Sequence, residues 1–167
     1  MDKEFEETCM KKRVKEIEPS VVEIINPVQI ANLARSTSML SAYFLSGAEY
    51  TLNSNSPLLS ILLAYFAMEH KTYEILALNG LKVTSHICAI KGLSRVVKRK
   101  DLAETLSRAY ENRLEVNYLG NIKTVDLDRT RAKNFIENIA IPFIREIDKI
   151  VSQLNIQNPA LPFFNNF

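Results

Sequence analysis

The chain has 167 residues, 47% hydrophobic and 24% charged, values that suit one domain with its own core and exclude wholesale disorder. Its 21 basic and 19 acidic residues leave a net charge of +2, so global charge does not mark a nucleic-acid binder and any such contact must be local. With only 4 Gly and 6 Pro, long helices fit better than many short strands and turns.

Residues 1–25 read as a charged N-terminal extension: MDKEFEETCMKKRVKEIEP alternates acid and base without the apolar stretch of a secretory signal. Asn26-Pro27 then starts a helix, with Asn as N-cap and Pro at the first helical position. From Val28 to Leu52 the residues Leu33, Leu40, Tyr43, Phe44, Gly47 and Tyr50 share one face, predicted to be the inward one. Ser56-Pro57 repeats the start signal, and the segment to Leu78 is apolar nearly all round in its first half, as expected of the helix at the centre of a bundle. Asn79-Gly80 closes it with a left-handed residue.

Ser85 can cap a shorter helix in which Ile87, Ile90 and Val97 face inward and Gly92 is a weak point of about 1 kcal/mol. Asp101 and Glu104 resemble a capping box that opens the next helix, ended by Gly120-Asn121. After a loop near Asp126, Ala132, Phe135, Ile136, Ile139, Phe143, Ile147, Ile150, Val151 and Leu154 recur at helical spacing, and Pro142 should kink that helix. Residues 155–167 form a tail rich in Asn, Pro and Phe. No segment alternates at period two for long enough to make a sheet, so the expected fold is all-α, an antiparallel bundle of about five helices over residues 26–154.

Cys9 and Cys88 lie 79 positions apart without metal-type spacing, and neither a disulfide framework nor a metal site is expected. The longest nearly apolar run, Pro57 to Met68, is too short for a bilayer, so no membrane partner is expected and a cytoplasmic location is the default. Phosphate-loop, dinucleotide, serine-hydrolase and zincin signatures are missing, and no cofactor is indicated.

Chemistry concentrates at Arg113-Leu-Glu-Val-Asn117-Tyr118. Leu102, Leu106, Ala109 and Tyr110 mark one helix face, and Arg113 falls about 20° from Leu106, with Asn117 about 40° further round. A guanidinium on an apolar face must meet a carboxylate such as Glu69 or Glu111, a phosphate, or water. His86, just after the Ser85 cap, could reach solvent or a bound anion; His70 lies where the central helix turns polar. Lys98-Arg99-Lys100 is the densest basic cluster and either meets phosphates or is a solvated helix end.

These landmarks resemble a HEPN domain, of the prokaryotic branch often found beside minimal nucleotidyltransferases in toxin–antitoxin pairs. The likeness rests on Leu63-Ala-Tyr65-Phe66-Ala67, on Asn79-Gly80-Leu-Lys82-Val-Thr-Ser85-His86, and on Arg113-Leu-Glu-Val-Asn117-Tyr118. It implies a homodimer whose two Arg113 helices meet at a cleft, with RNA, a nucleotide or a partner nucleotidyltransferase as ligand. In active members an arginine followed by a histidine forms a metal-independent ribonuclease site. Here Arg113 fills the first role and Tyr118 stands near the histidine position, which implies binding with Arg113, Asn117 and Tyr118 and without efficient turnover. The alternative is a ribonuclease toxin in which His70 or His86 supplies the imidazole from another helix.

Overall fold

The computed structural model describes Cys9, residues 22–118 and residues 129–157, and gives the backbone alone for residues 22–23, 115–118 and 155–157. The expected helix end at Gly120-Asn121, the loop near Asp126, the tail beyond Gln157 and most of the extension before Val22 lie outside the described residues. The chain runs β1 (Val22–Ile24), α1 (Pro27–Asn53), α2 (Pro57–Leu78), β2 (Leu81–Val83), α3 (His86–Arg95), α4 (Lys100–Tyr118) and a last rod, which makes an all-α bundle of five helices. The rod comprises α5 (Arg129–Phe135), a π-helical turn (Ile136–Ala140) and α6 (Ile141–Gln157). No helix among the described residues is long and apolar enough to cross a membrane.

A short ladder accompanies the helices: β1 and β2 pair antiparallel, Val22 with Val83 and Ile24 with Leu81. Three residues per strand are too few for a period-two pattern to reveal.

α1 starts where Asn26 and Gln29 form a reciprocal capping box, Asn26 Oδ1 accepting from the Gln29 N–H and Gln29 Oε1 from the Asn26 N–H. Its inward face differs from the expected one. Ala34, Thr37, Ser41 and Ala48 are buried, whereas Tyr43 and Tyr50 are 74% and 73% exposed and Leu40 is 40% exposed. Small side chains let α1 lie close against α2: Ser41 Oγ donates to the Ala67 carbonyl at 2.8 Å, and a Cβ on Gly47 would stand 3.3 Å from Leu63. Residue size at the contact, rather than hydrophobicity, selects the face.

α2 is the hub. Ile61, Ala64, Tyr65, Ala67, Met68 and Ile75 are all but inaccessible and pack against α4 and the last rod. The helix stops as expected, with Asn79 Nδ2 donating to the Ile75 carbonyl and Gly80 at φ 81°, where a side chain would be strained. Its polar C-terminal half is buried too: Lys71 Nζ bridges Glu74 Oε2 at 2.7 Å and Asp148 Oδ1 of α6 at 2.5 Å.

In α3 the buried residues are Cys88, Ala89, Gly92 and Leu93, and Ile87 is 57% exposed, contrary to the inward role read for it. Gly92 serves close packing: a Cβ there would fall 2.8 Å from a Leu76 methyl. Cys88 and Cys9 form a disulfide, correcting the expectation of none. Distance along the chain says nothing of distance in space, and here the Cα atoms are 5.8 Å apart.

α4 starts at Lys100, and Asp101, read as a cap, instead takes the Arg99 guanidinium through both carboxylate oxygens. Leu102, Leu106 and Ala109 are buried as the spacing requires. In the last rod the kink expected at Pro142 takes the form of the π-turn just before it, in which Ile141 N–H bonds to the Ile136 carbonyl, one residue beyond α-helical reach. Proline cannot donate to the carbonyl four residues back and its ring crowds it, and widening the preceding turn relieves that conflict.

Candidate functional site

Three helices each deliver part of one cluster. Tyr65, Glu69 and Tyr73 lie at i, i+4 and i+8 of α2 and therefore share a face. His86 is the first residue of α3, held there because Ser85 caps the helix and accepts the Cys88 N–H. Tyr110 and Arg113, at i and i+3 of α4, point to the same place.

The cluster is built outward from Glu69, whose side chain is 5% exposed. Its Oε1 accepts the Tyr73 hydroxyl at 2.9 Å and the Tyr65 hydroxyl at 3.4 Å, and it contacts His86 Nδ1, which also lies 3.0 Å from the Tyr65 hydroxyl. Burial, then the Glu69 charge, pushes both phenols above the ordinary tyrosine range, so they remain protonated and donate. A carboxylate only accepts, so the proton on the imidazole belongs on Nδ1, and the Nε2 lone pair faces away from Glu69. There it meets Arg113: Nη1 lies 3.3 Å from His86 Nε2.

Arg113 is half-buried, as its place in the apolar stripe requires. Its guanidinium carbon stands 5.4 Å from the ring centres of Tyr65 and Phe66 and 5.8 Å from that of Tyr110. Each such contact contributes about 0.5–2 kcal/mol and compensates part of the lost hydration. Its Nε is buried without a hydrogen-bond partner among the described residues. Tyr110 also packs on His86 in a tilted arrangement, 5.2 Å between ring centres, and the His86 side chain is 33% exposed. The arrangement is a carboxylate, an imidazole and a guanidinium in line, set in tyrosines, with the imidazole partly exposed and the guanidinium half-buried.

The other candidate residues divide clearly. His70 follows Glu69 by one position, about 100° round the helix, and meets the cluster at its margin, edge-on to the Tyr73 ring at 5.7 Å. It stacks on Phe44 at 5.2 Å, and burial lowers its pKa. Lys98, Arg99 and Lys100 stand at the α3–α4 junction; Lys100 is 13 residues, about 20 Å of helix, from Arg113. Within that trio Arg99 is committed to Asp101 and, at 3.0 Å, to Glu146, while Lys98 and Lys100 are exposed. The backbone of α4 continues through Asn117 and Tyr118, whose side chains lie outside the described residues.

Glu69 entered the sequence reading only as a direct partner for Arg113, and Tyr73 and Tyr110 carried no role. The recurrence Tyr65, Glu69, Tyr73 on one face of an otherwise apolar helix was the available signal. The larger clefts are elsewhere: one of about 810 Å³ lies between the end of α1 and the last rod, and volumes of about 570 Å³ and 360 Å³ lie between α4 and the last rod and share Asn112, Asn138 and Ile139. Asn112 points about 100° away from its neighbour Arg113, so the latter two belong to a different face of α4. No protein-family model, curated protein or solved structure matches the chain.

Proposed function

We propose that this protein is a HEPN-like RNA-directed protein that grips a phosphodiester with Arg113 and cleaves it without metal, His86 acting as the general base. The observation that carries this reading is the 3.3 Å approach of Arg113 Nη1 to His86 Nε2, with Glu69 behind the imidazole. An arginine beside a histidine whose far nitrogen is fixed by a carboxylate is what in-line attack by a ribose 2′-hydroxyl requires. A phosphate draws the guanidinium toward itself and frees Nε2. The imidazole then takes the 2′-hydroxyl proton, the oxygen bonds to phosphorus, and the 5′-oxygen departs with a proton from solvent, leaving a 2′,3′-cyclic phosphate. Tyr118 need not supply the chemistry.

A second reading, binding of RNA or a nucleotide without turnover, is favoured by the same contact, since Arg113 occupies the Nε2 lone pair in the free protein. Both readings share Arg113 as the phosphate anchor. A homodimer and a nucleotidyltransferase partner rest on the resemblance alone; sedimentation and co-purification test them.

The deciding experiment incubates single-stranded RNA with the protein in a chelator and identifies the ends produced. Cyclic phosphate termini that vanish in both Arg113→Ala and His86→Ala, and persist in His70→Ala, support cleavage. Retained binding with no cleavage by the unaltered protein supports the second reading.

A further inference from the structure

We infer that the Cys9–Cys88 disulfide is a redox switch on the placement of His86. Cys88 is the third residue of α3 and His86 the first, so one helical turn carries both the disulfide and the imidazole. Cys9 and Cys88 are 2% and 5% exposed and pack with Leu76, Leu81, Val83 and Ala89. On the other side, Gly92 holds α3 against Leu76 with no room for one further methyl. Bonded sulfurs lie inside each other's van der Waals radii, so two thiols occupy more space than the disulfide they replace.

Within such a closed cluster the sulfurs must separate, and a displacement of Cys88 carries the first turn of α3 with it. His86 is then displaced from Glu69 on α2 and from Arg113 on α4. A shift of about 1 Å takes the 3.3 Å Arg113–His86 contact beyond hydrogen-bond range. The reductant is a dithiol: its two thiols become a disulfide as Cys9 and Cys88 take up two electrons and two protons. Oxidised protein holds Glu69, His86 and Arg113 in line; reduced protein holds them loosened.

The test does not depend on any RNA activity. With only two histidines in the chain, imidazole NMR of labelled protein resolves His70 and His86, assigned with His70→Gln. Thiol titration first fixes the state: no free thiols in protein purified without reductant, two after treatment with dithiothreitol and its removal under nitrogen. The expected result is that reduction moves the His86 resonances and leaves those of His70 in place. Cys9→Ser, kept without reductant, should give the reduced His86 signals. Two free thiols in the untreated protein, or His86 resonances that coincide in the two states, overturn the inference.

Discussion

His86 Nε2 and Arg113 Nη1 stand 3.3 Å apart although 27 residues and a helix junction separate them in the chain. The contact exists because Ser85 fixes the first turn of α3 while the apolar stripe of α4 turns Arg113 inward. Neither residue holds the geometry alone. Glu69, anchored by two tyrosine hydroxyls, sets which nitrogen of the ring faces the arginine.

Glu69→Gln should therefore separate chemistry from binding. All three donors face Oε1, so the amide oxygen can take its place, but without the charge each of those hydrogen bonds is weaker, a loss of about 1–3 kcal/mol. The expected outcome is a loss of that size in urea unfolding, with RNA affinity nearly unchanged and cleavage lowered about 100-fold. Measuring all three on one preparation distinguishes an orienting residue from a merely structural one.

Gly92→Ala has opposite expected signs from the two levels of description. Helix propensity alone gives a gain of about 1 kcal/mol. The added Cβ falls 2.8 Å and 2.9 Å from the two methyls of Leu76, a residue with no exposure. Overpacking costs about 1–3 kcal/mol, so a net loss is expected, read as a lower urea midpoint.

Reducing the disulfide should lower stability by about 2–4 kcal/mol, since Cys9–Cys88 closes a long loop in the unfolded chain. Urea unfolding with and without dithiothreitol checks the size, and Cys9→Ser should match the reduced protein.

The buried Lys71–Glu74 pair, met by the exposed Asp148, predicts falling stability at alkaline pH. Burial works against the Lys71 charge, but Glu74 and Asp148 outweigh it and hold the ammonium above the ordinary lysine range. A raised folded-state pKa contributes stability that is fully present below the unfolded value, about 10.4, and is lost as pH rises through the folded one. Glu74 is raised by burial in spite of Lys71, which also favours the folded state at lower pH. Urea midpoints should fall above about pH 10.4 in the unaltered protein. Lys71→Met, which strands Glu74, should lose about 3–5 kcal/mol at neutral pH and show a weaker alkaline decline.

Much of the bundle was legible because long helices advertise their ends and stripes. Asn26-Pro27, Ser56-Pro57, Asn79-Gly80 and Ser85 mark boundaries that the structure keeps. The inward set of the last rod, from Ala132 to Val151, was readable for the same reason. Where helices approach closely, the signal inverts. In α1 the contact selects Ala34, Thr37, Ser41 and Ala48, and in α3 it selects Cys88, Ala89 and Gly92, so a search for large apolar residues finds the wrong face. Arg113 could be singled out because charge on an apolar stripe is costly. Its partner could not be chosen between His70 and His86, since that depends on how α3 docks on α2.

The most direct test measures RNA binding and single-turnover cleavage in parallel, in a chelator, for the unaltered protein and for His86→Asn. Asparagine can keep a hydrogen bond to Glu69 but cannot take a proton. The expected result is unchanged affinity and a cleavage rate lowered at least about 100-fold. Cleavage by His86→Asn at the unaltered rate would contradict the assignment of His86 as the base beside Arg113.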